Sequence, residues 1–416
     1  MGYLLFLIYL IIGCIVIVRI PFIKKCGLTS NILVLLFLVK IFAGIAIGWI
    51  SNHYYPNNDY WILNQEGLNE FAVLKNNPKA FFTNILYSPY ENAYGGFFDA
   101  VGSYWNDLKN NTISKILALI NIFSNGNYYI NSLFLNFFAF FGQVALYKIF
   151  KNIFPSKQNI LIACCFLIPT TIYFSAGIHK DLFVFTALAM YCYALYFMIN
   201  DKLNWKRIFL IICAALVLLL MRNFLLVALI PATIGFILSS KLKFNSSLIF
   251  ASTYTICIIA IWAATIFIPS RNPLKIITQR QEEFLKLPTA NSQIKIDTLN
   301  PSFGSFVKNV PQAINHGLLR PYLWESKSYF SILLALELLL FQILFILMLA
   351  FKEKKNRFLN PFISFGVYLA LSMFIITGYI IPNTNSIVRY KSIFLPLIIA
   401  PIVCNIRFKS ESTFHI

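Results

Sequence analysis

Acidic residues are scarce in this chain. Asp and Glu number 15 against 34 Lys and Arg, and charged residues are only 12% of a chain that is 59% hydrophobic. A soluble surface uses nearer ~25% charged residues, so the mean hydropathy of +0.72 reads as a polytopic membrane protein. There is no P-loop, no Gly-x-Gly-x-x-Gly turn, no His-Glu-x-x-His pair and no serine nucleophile elbow. These absences argue against cytoplasmic nucleotide chemistry. Of the eight cysteines, Cys14, Cys164, Cys165, Cys192, Cys213, Cys257 and Cys404 fall in apolar stretches and Cys26 in a short basic loop. The two long polar segments hold none, which excludes a disulfide framework and a Cys-ligated metal there. The formal net charge of +19 includes no long basic run interleaved with aromatics, so no nucleic-acid partner is expected.

What is present is a series of eleven apolar stretches, at 3–20, 31–51, 128–150, 159–175, 180–199, 206–221, 223–239, 246–268, 329–351, 360–380 and 385–405. They predict an all-α fold of about eleven transmembrane helices in one membrane domain, residues 1–416. With the N-terminus outside, six segments face the cytoplasm. They carry Arg19, Lys24, Lys25; Lys148, Lys151, Lys157; Lys202, Lys206, Arg207; Lys241, Lys243; Lys352, Lys354, Lys355, Arg357; and Arg407, Lys409. Against these 17 stand only Lys180, Arg222, Arg389 and Lys391 in the short outer turns. The positive-inside rule therefore sets the N-terminus outside and the C-terminus in the cytoplasm. The first apolar run lacks a basic start and reads as an uncleaved span.

Ile208–Leu238 is apolar except at Arg222–Asn223. As one helix it would be ~46 Å long, against a hydrocarbon core of ~30 Å, and it would put its flanking basic pairs on opposite sides. A hairpin turning at Arg222–Asn223 keeps both inside.

Two long outer segments, 52–127 and 269–328, interrupt the spans. Phe71–Leu74, Phe81–Leu86 and Ile113–Phe123 have the spacing of interfacial helices. Tyr54, Tyr55, Tyr60, Trp61, Tyr104 and Trp105 suit the headgroup region. Eleven of the fifteen acids lie outside in this topology: Asp59, Glu66, Glu70, Glu91, Asp99, Asp107, Asp181, Glu282, Glu283, Asp297 and Glu325. Asp59, just past the second span, is positioned to act as a general base toward a sugar hydroxyl; its structural alternative is an N-cap or Asx-turn opening 60–75. Glu66 is the weaker second candidate. No cofactor is required, although a divalent metal at Asp59 with Glu66 stays open.

In Pro169–Asp181, a glycine-containing turn leads into a new helix whose free N–H groups, with Lys180 and His179, form a candidate phosphate cradle. Asp181 complements the helix dipole. Arg222 and the pair Arg389 and Lys391 add cations at the same level, suited to phosphate. Arg271, Arg280, Arg320 and the stretch Gln279–Glu283 read as a solvated charged face, with the alternative that His316 and Arg320, four apart, line one cavity. Lys40 and Glu337 fall inside apolar spans, where charges are usually paired; they are expected to approach each other, or Glu337 to meet Arg222.

An acid just after an early span, a first outer segment with interfacial helices and many further spans resemble the GT-C superfamily of membrane glycosyltransferases. That resemblance covers mainly residues 31–240. It implies a polyprenyl-phosphate-linked sugar as donor, a glycan or lipid-linked acceptor, a bacterial cytoplasmic membrane, and Asp59 as the base. The chain has one more span before the loop than that pattern, and Asn58–Asp59 where paired acids are common. SAGIHKD and NTNSIVRYKSIFLP are similar to segments of bacterial envelope proteins of polysaccharide synthesis, and more loosely to O-antigen polymerases of the Wzy type, whose outer-loop arginines bind lipid-linked glycans. A lipid-linked oligosaccharide transporter is the alternative from another class; it would need a deep cationic cavity instead of large outer segments.

Overall fold

A computed structural model describes residues 2–55, 58–87, 103–201, 203–242, 244–269, 272–287, 292–326, 328–353 and 360–407. Glu91, Asp99, Lys202, Lys243, Arg271, Lys354, Lys355, Arg357 and Lys409 lie outside the described residues. The described chain is all-helical, with no strand among its elements. In chain order the main helices are α1 (Gly2–Arg19), α2 (Ser30–Tyr54), α3 (Asp59–Asn76), α4 (Tyr104–Ser124), α5 (Tyr128–Ile153), α6 (Gln158–Phe166), α7 (Pro169–Phe174) and α8 (Lys180–Asn200). They continue as α9 (Trp205–Lys241), α10 (Ser246–Phe267), α11 (Leu274–Lys286), α12 (Phe303–Ile314), α13 (Tyr329–Ala350), α14 (Pro361–Ile380), α15 (Thr384–Ser392) and α16 (Leu395–Cys404).

Every apolar stretch of the sequence is helical, but fewer than eleven are uninterrupted. Among the described residues, eight helices are long and apolar enough to cross a membrane: α1, α2, α5, α8, α9, α10, α13 and α14. The pair α15 and α16, bent by 68°, makes a ninth if it is one span. The interruptions have local causes. Stretch 159–175 is split into α6 and α7 because Pro169 has no N–H to donate and holds Ile168 extended, at φ −63° and ψ 115°. Stretch 385–405 bends at Ile393–Phe394, ahead of Pro396. Where the sequence predicts a hairpin, α9 is a 37-residue element broken at Arg222, whose φ of −156° and ψ of 73° are not helical.

The chain divides into two compact units, Met1–Ile149 with Cys165–Leu226, and Phe150–Cys164 with Val227–Ile416. In the first, most of α5 is buried, whereas α1 is largely exposed. That contrast explains why α5 tolerates Asn131, Ser132, Asn136 and Gln143, all buried, since a buried amide needs protein partners. Asn131 Nδ2 donates to Asn64 Oδ1 (2.9 Å) and Asn121 Oδ1 (2.7 Å), tying α3 and α4 to the span. Lys115 of α4 is buried and donates to Glu70 (2.9 Å), to the Phe81 carbonyl (2.6 Å) and to Asn84 Oδ1 (2.5 Å). Helices α3 and α4 of the first long polar segment are therefore a packed pair joined by a buried lysine and Glu70.

In the second unit, α12 and the turn Asn315–Leu319 pack on α14. Contact is backbone to backbone: a Cβ on Gly378 would lie 2.0 Å from the Ala313 carbonyl oxygen and 2.9 Å from the Gly317 nitrogen. Gly378→Ala must push whole helices apart, and should lower stability by about 1–3 kcal/mol, the usual cost of overpacking. Thermal unfolding of the detergent-solubilised variant checks this; an unchanged midpoint would contradict the close approach. Gln281 joins α11 to the same helix, with Nε2 donating to the carbonyls of Asp297 (3.0 Å) and Tyr379 (2.7 Å).

Candidate functional site

The turn ahead of α8 is the centre of the site. Gly177 takes a left-handed φ of 74°, a conformation that costs a side-chain-bearing residue ~1–2 kcal/mol. A Cβ there would also meet Ile47 at 2.8 Å. The turn delivers His179 as the N-cap of α8, its Nδ1 accepting the Asp181 N–H at 3.2 Å. At the start of α3 the cap is Asn58, which accepts from the Trp61 N–H at 3.1 Å. Asp59 is thus relieved of the capping role its sequence position allowed, and sits in the first helical turn.

These two helix starts meet. His179 Nε2 lies 3.5 Å from Asp59 Oδ2, and His179 Nδ1 lies 3.3 Å from Asp181 Oδ2. Asp181 is fully buried, and its other oxygen receives Nη2 of Arg222, also buried. The result is a chain of four ionisable groups, Asp59–His179–Asp181–Arg222, drawn from three segments. It opens outward: the Asp59 side chain is 60% exposed and the His179 side chain 1%. Tyr60 covers the imidazole, with ring centroids 5.0 Å apart. The break in α9 falls at the residue that makes the Asp181 ion pair.

This arrangement can move a proton. When Nδ1 accepts the Asp181 N–H, the ring proton is on Nε2 and faces Asp59. When Nδ1 carries the proton, it donates to Asp181 and leaves Nε2 as the base. Two carboxylates and one guanidinium sum to one negative charge, so a protonated His179 brings the chain to neutrality. Arg222 anchors the inner carboxylate, which in turn orients the imidazole, as the acid behind a catalytic histidine does. Sequence reading gave Asp181 only a dipole role and His179 only a phosphate role; the missed signal was their i, i+2 spacing across a helix start.

The other expected residues fall as follows. Lys180 is the half-buried first residue of α8. Glu66 lies two turns along α3 from Asp59, and its carboxylate accepts from Ser114 Oγ at 3.2 Å. Burial pushes its pKa up, with Asp107 and Asp59 adding to that and the Ser114 hydrogen bond opposing it. Among the described residues, no group of three or more His, Cys, Asp or Glu could hold a metal ion. Lys40 is buried in α2 and donates to the Ser175 carbonyl (2.6 Å) and hydroxyl (2.7 Å). Its partner is thus the turn that carries His179, in place of the acid expected. Glu337 is half-buried on α13, in the second unit.

Arg389 and Lys391 also belong to the second unit. Arg389 is half-buried on α15, and Lys391 is buried and donates to the Arg320 carbonyl at 2.7 Å. Arg320 itself pairs with Glu325 at 3.1 Å. His316, 3% exposed, has its pKa lowered to about 4 by burial and then by neighbouring Arg320. The folded state therefore binds fewer protons than the unfolded chain between about pH 6.5 and 4, and stability falls as pH drops through that window. The loss is about 3 kcal/mol at ~1.4 kcal/mol per unit. Unfolding midpoints should fall less across this range in His316→Gln than in the parent protein; equal slopes would remove His316 as the cause.

Comparison of the chain with protein-family models, curated proteins and solved structures finds no match.

Proposed function

We propose that this protein is a glycosyltransferase that moves a sugar from a polyprenyl-phosphate-linked donor to a glycan or lipid-linked acceptor at the outer face of a bacterial cytoplasmic membrane. The observation that carries the reading is the Asp59–His179 contact, with the Asp181–Arg222 pair behind it. An exposed carboxylate on a buried imidazole is a better-placed base than a lone Asp. The acceptor hydroxyl oxygen attacks the anomeric carbon, the bond from that carbon to the phosphate oxygen breaks, and polyprenyl phosphate leaves with the electron pair. The hydroxyl proton passes to the Asp59–His179 couple. Lys180 and the positive dipole end of α8 are assigned to the phosphate. Arg222 acts through Asp181, not on the donor.

The proposal includes eleven crossings with the N-terminus outside, in which α6 with α7 and α15 with α16 are broken spans and α9 turns at Arg222. The Arg222–Asp181 contact supports that turn, because it holds Arg222 level with a helix end. Other contacts group the basic loops as this topology requires. Lys148 donates to the Phe22 carbonyl at 3.2 Å in the first unit, and Lys157 pairs with Glu353 at 3.2 Å in the second. In the second unit the Arg407 N–H also donates to the Phe351 carbonyl at 2.7 Å.

A second reading, a polysaccharide polymerase of the Wzy kind centred on His179, is favoured by the burial of that residue between two acids. Purified protein given a labelled polyprenyl-phosphate sugar and candidate acceptors separates the two. Asp59→Asn is expected to lose turnover while keeping donor binding. Full turnover in Asp59→Asn together with loss in His179→Asn moves the assignment to the polymerase. Lipid translocation in vesicles without turnover would replace both by a transporter.

A further inference from the structure

Within one short stretch of the second unit, three buried polar atoms lack a protein hydrogen-bond partner: Nδ1 of His316, Nε of Arg320 and Oε2 of Glu325. Native interiors rarely leave such atoms unmatched without a reason. The stretch is held firmly. Lys391 fixes the Arg320 carbonyl (2.7 Å), the Tyr322 hydroxyl donates to Asn315 Oδ1 (2.6 Å), and Arg320 Nη2 meets Glu325 Oε1 at 3.1 Å. Beside that ion pair the rings of Tyr322 and Trp324 are stacked, 4.6 Å apart and 9° from parallel. Trp324 is 81% exposed.

The chemistry of these groups selects among ligands. The guanidinium of Arg320 can only donate, and the carboxylate of Glu325 that pairs with it can only accept. An anion suits the first and is repelled by the second; a cation does the reverse. A hydroxyl group both donates and accepts, and neighbouring ring hydroxyls offer the two roles side by side. The C–H face of the same ring is apolar and suits an indole. We propose that Asn315–Glu325 is a glycan subsite, in which a neutral pyranose packs on Trp324 while its hydroxyls meet the part of the Arg320–Glu325 pair that reaches solvent, the two side chains being 19% and 26% exposed. Its place in catalysis, as an acceptor subsite, rests on the transferase reading; the binding does not.

The test titrates the full-length protein in detergent with soluble oligosaccharides, one series of neutral hexoses and one of N-acetylhexosamines, in the absence of any lipid donor. Tryptophan fluorescence and saturation-transfer NMR report binding. A saturating response is expected, weakened by a factor of about ten or more in Kd in Trp324→Ala and in Glu325→Ala. Trp324→Phe, which keeps a ring, should restore part of it. Trp262→Ala, altering a half-exposed indole on α10, should bind as the parent does. If neither series binds, or if Trp324→Ala binds normally and only its partition into vesicles changes, Trp324 is a membrane anchor and the subsite is overturned. A failed titration alongside Asp59-dependent turnover removes the subsite and leaves the transferase; intact sugar binding without turnover does the opposite.

Discussion

Arg222→Met should unfold several kilocalories per mole more easily than the parent protein. Asp181 is fully buried and has Arg222 as its cation. Removing that guanidinium strands a carboxylate out of water, a change that typically costs about 3–5 kcal/mol. The size comes from the charge left behind, not from the worth of the pair, so the double variant Arg222→Met with Asp181→Leu should regain most of the loss. Denaturant unfolding of detergent-solubilised protein measures both. Turnover should not return in the double variant, because His179 has then lost the acid that orients it. An Arg222→Met protein within about 1 kcal/mol of the parent would mean that water or another cation reaches Asp181.

His179→Asn should cut turnover by about 10²–10⁴-fold, the range over which a positioned acid–base group acts. Asn is chosen to separate two roles. Its side-chain oxygen can accept the Asp181 N–H as Nδ1 does, and Asn is a favourable N-cap, so α8 should keep its start. What it lacks is the second nitrogen facing Asp59. Stability close to that of the parent with turnover largely lost places the imidazole in proton transfer. Parallel loss of both would reduce it to a cap, and undiminished turnover would remove it from the chemistry.

The fold was largely legible because apolar length is a one-dimensional signal. Pro169 and Pro396 even mark where two stretches are interrupted, and Arg222, the single cation in a long apolar run, marks the break in α9. The number of crossings was less legible, since a run such as 159–175 satisfies hydropathy whether or not its backbone is continuous. The site was half visible. Asp59, His179 and Arg222 each stood out by type and place, but the contact between Asp59 and His179 joins residues far apart in sequence, and no local pattern encodes it. Lys40 shows the limit most clearly. A charge in a span demands a partner, and the search for one looks to acids; the partner is a backbone carbonyl and a hydroxyl of Ser175, which any turn could offer. Lys391 finds the Arg320 carbonyl in the same way.

The Asn58 cap just ahead of Asp59 donates to the Ser51 carbonyl of α2, and the loop bearing His179 accepts from Lys40 of the same helix. Both partners of the Asp59–His179 contact are therefore tied to one rod. When that rod leans to match a thicker or thinner lipid layer, acid and imidazole are carried along together, which buffers their spacing against the changing composition of the surrounding lipid.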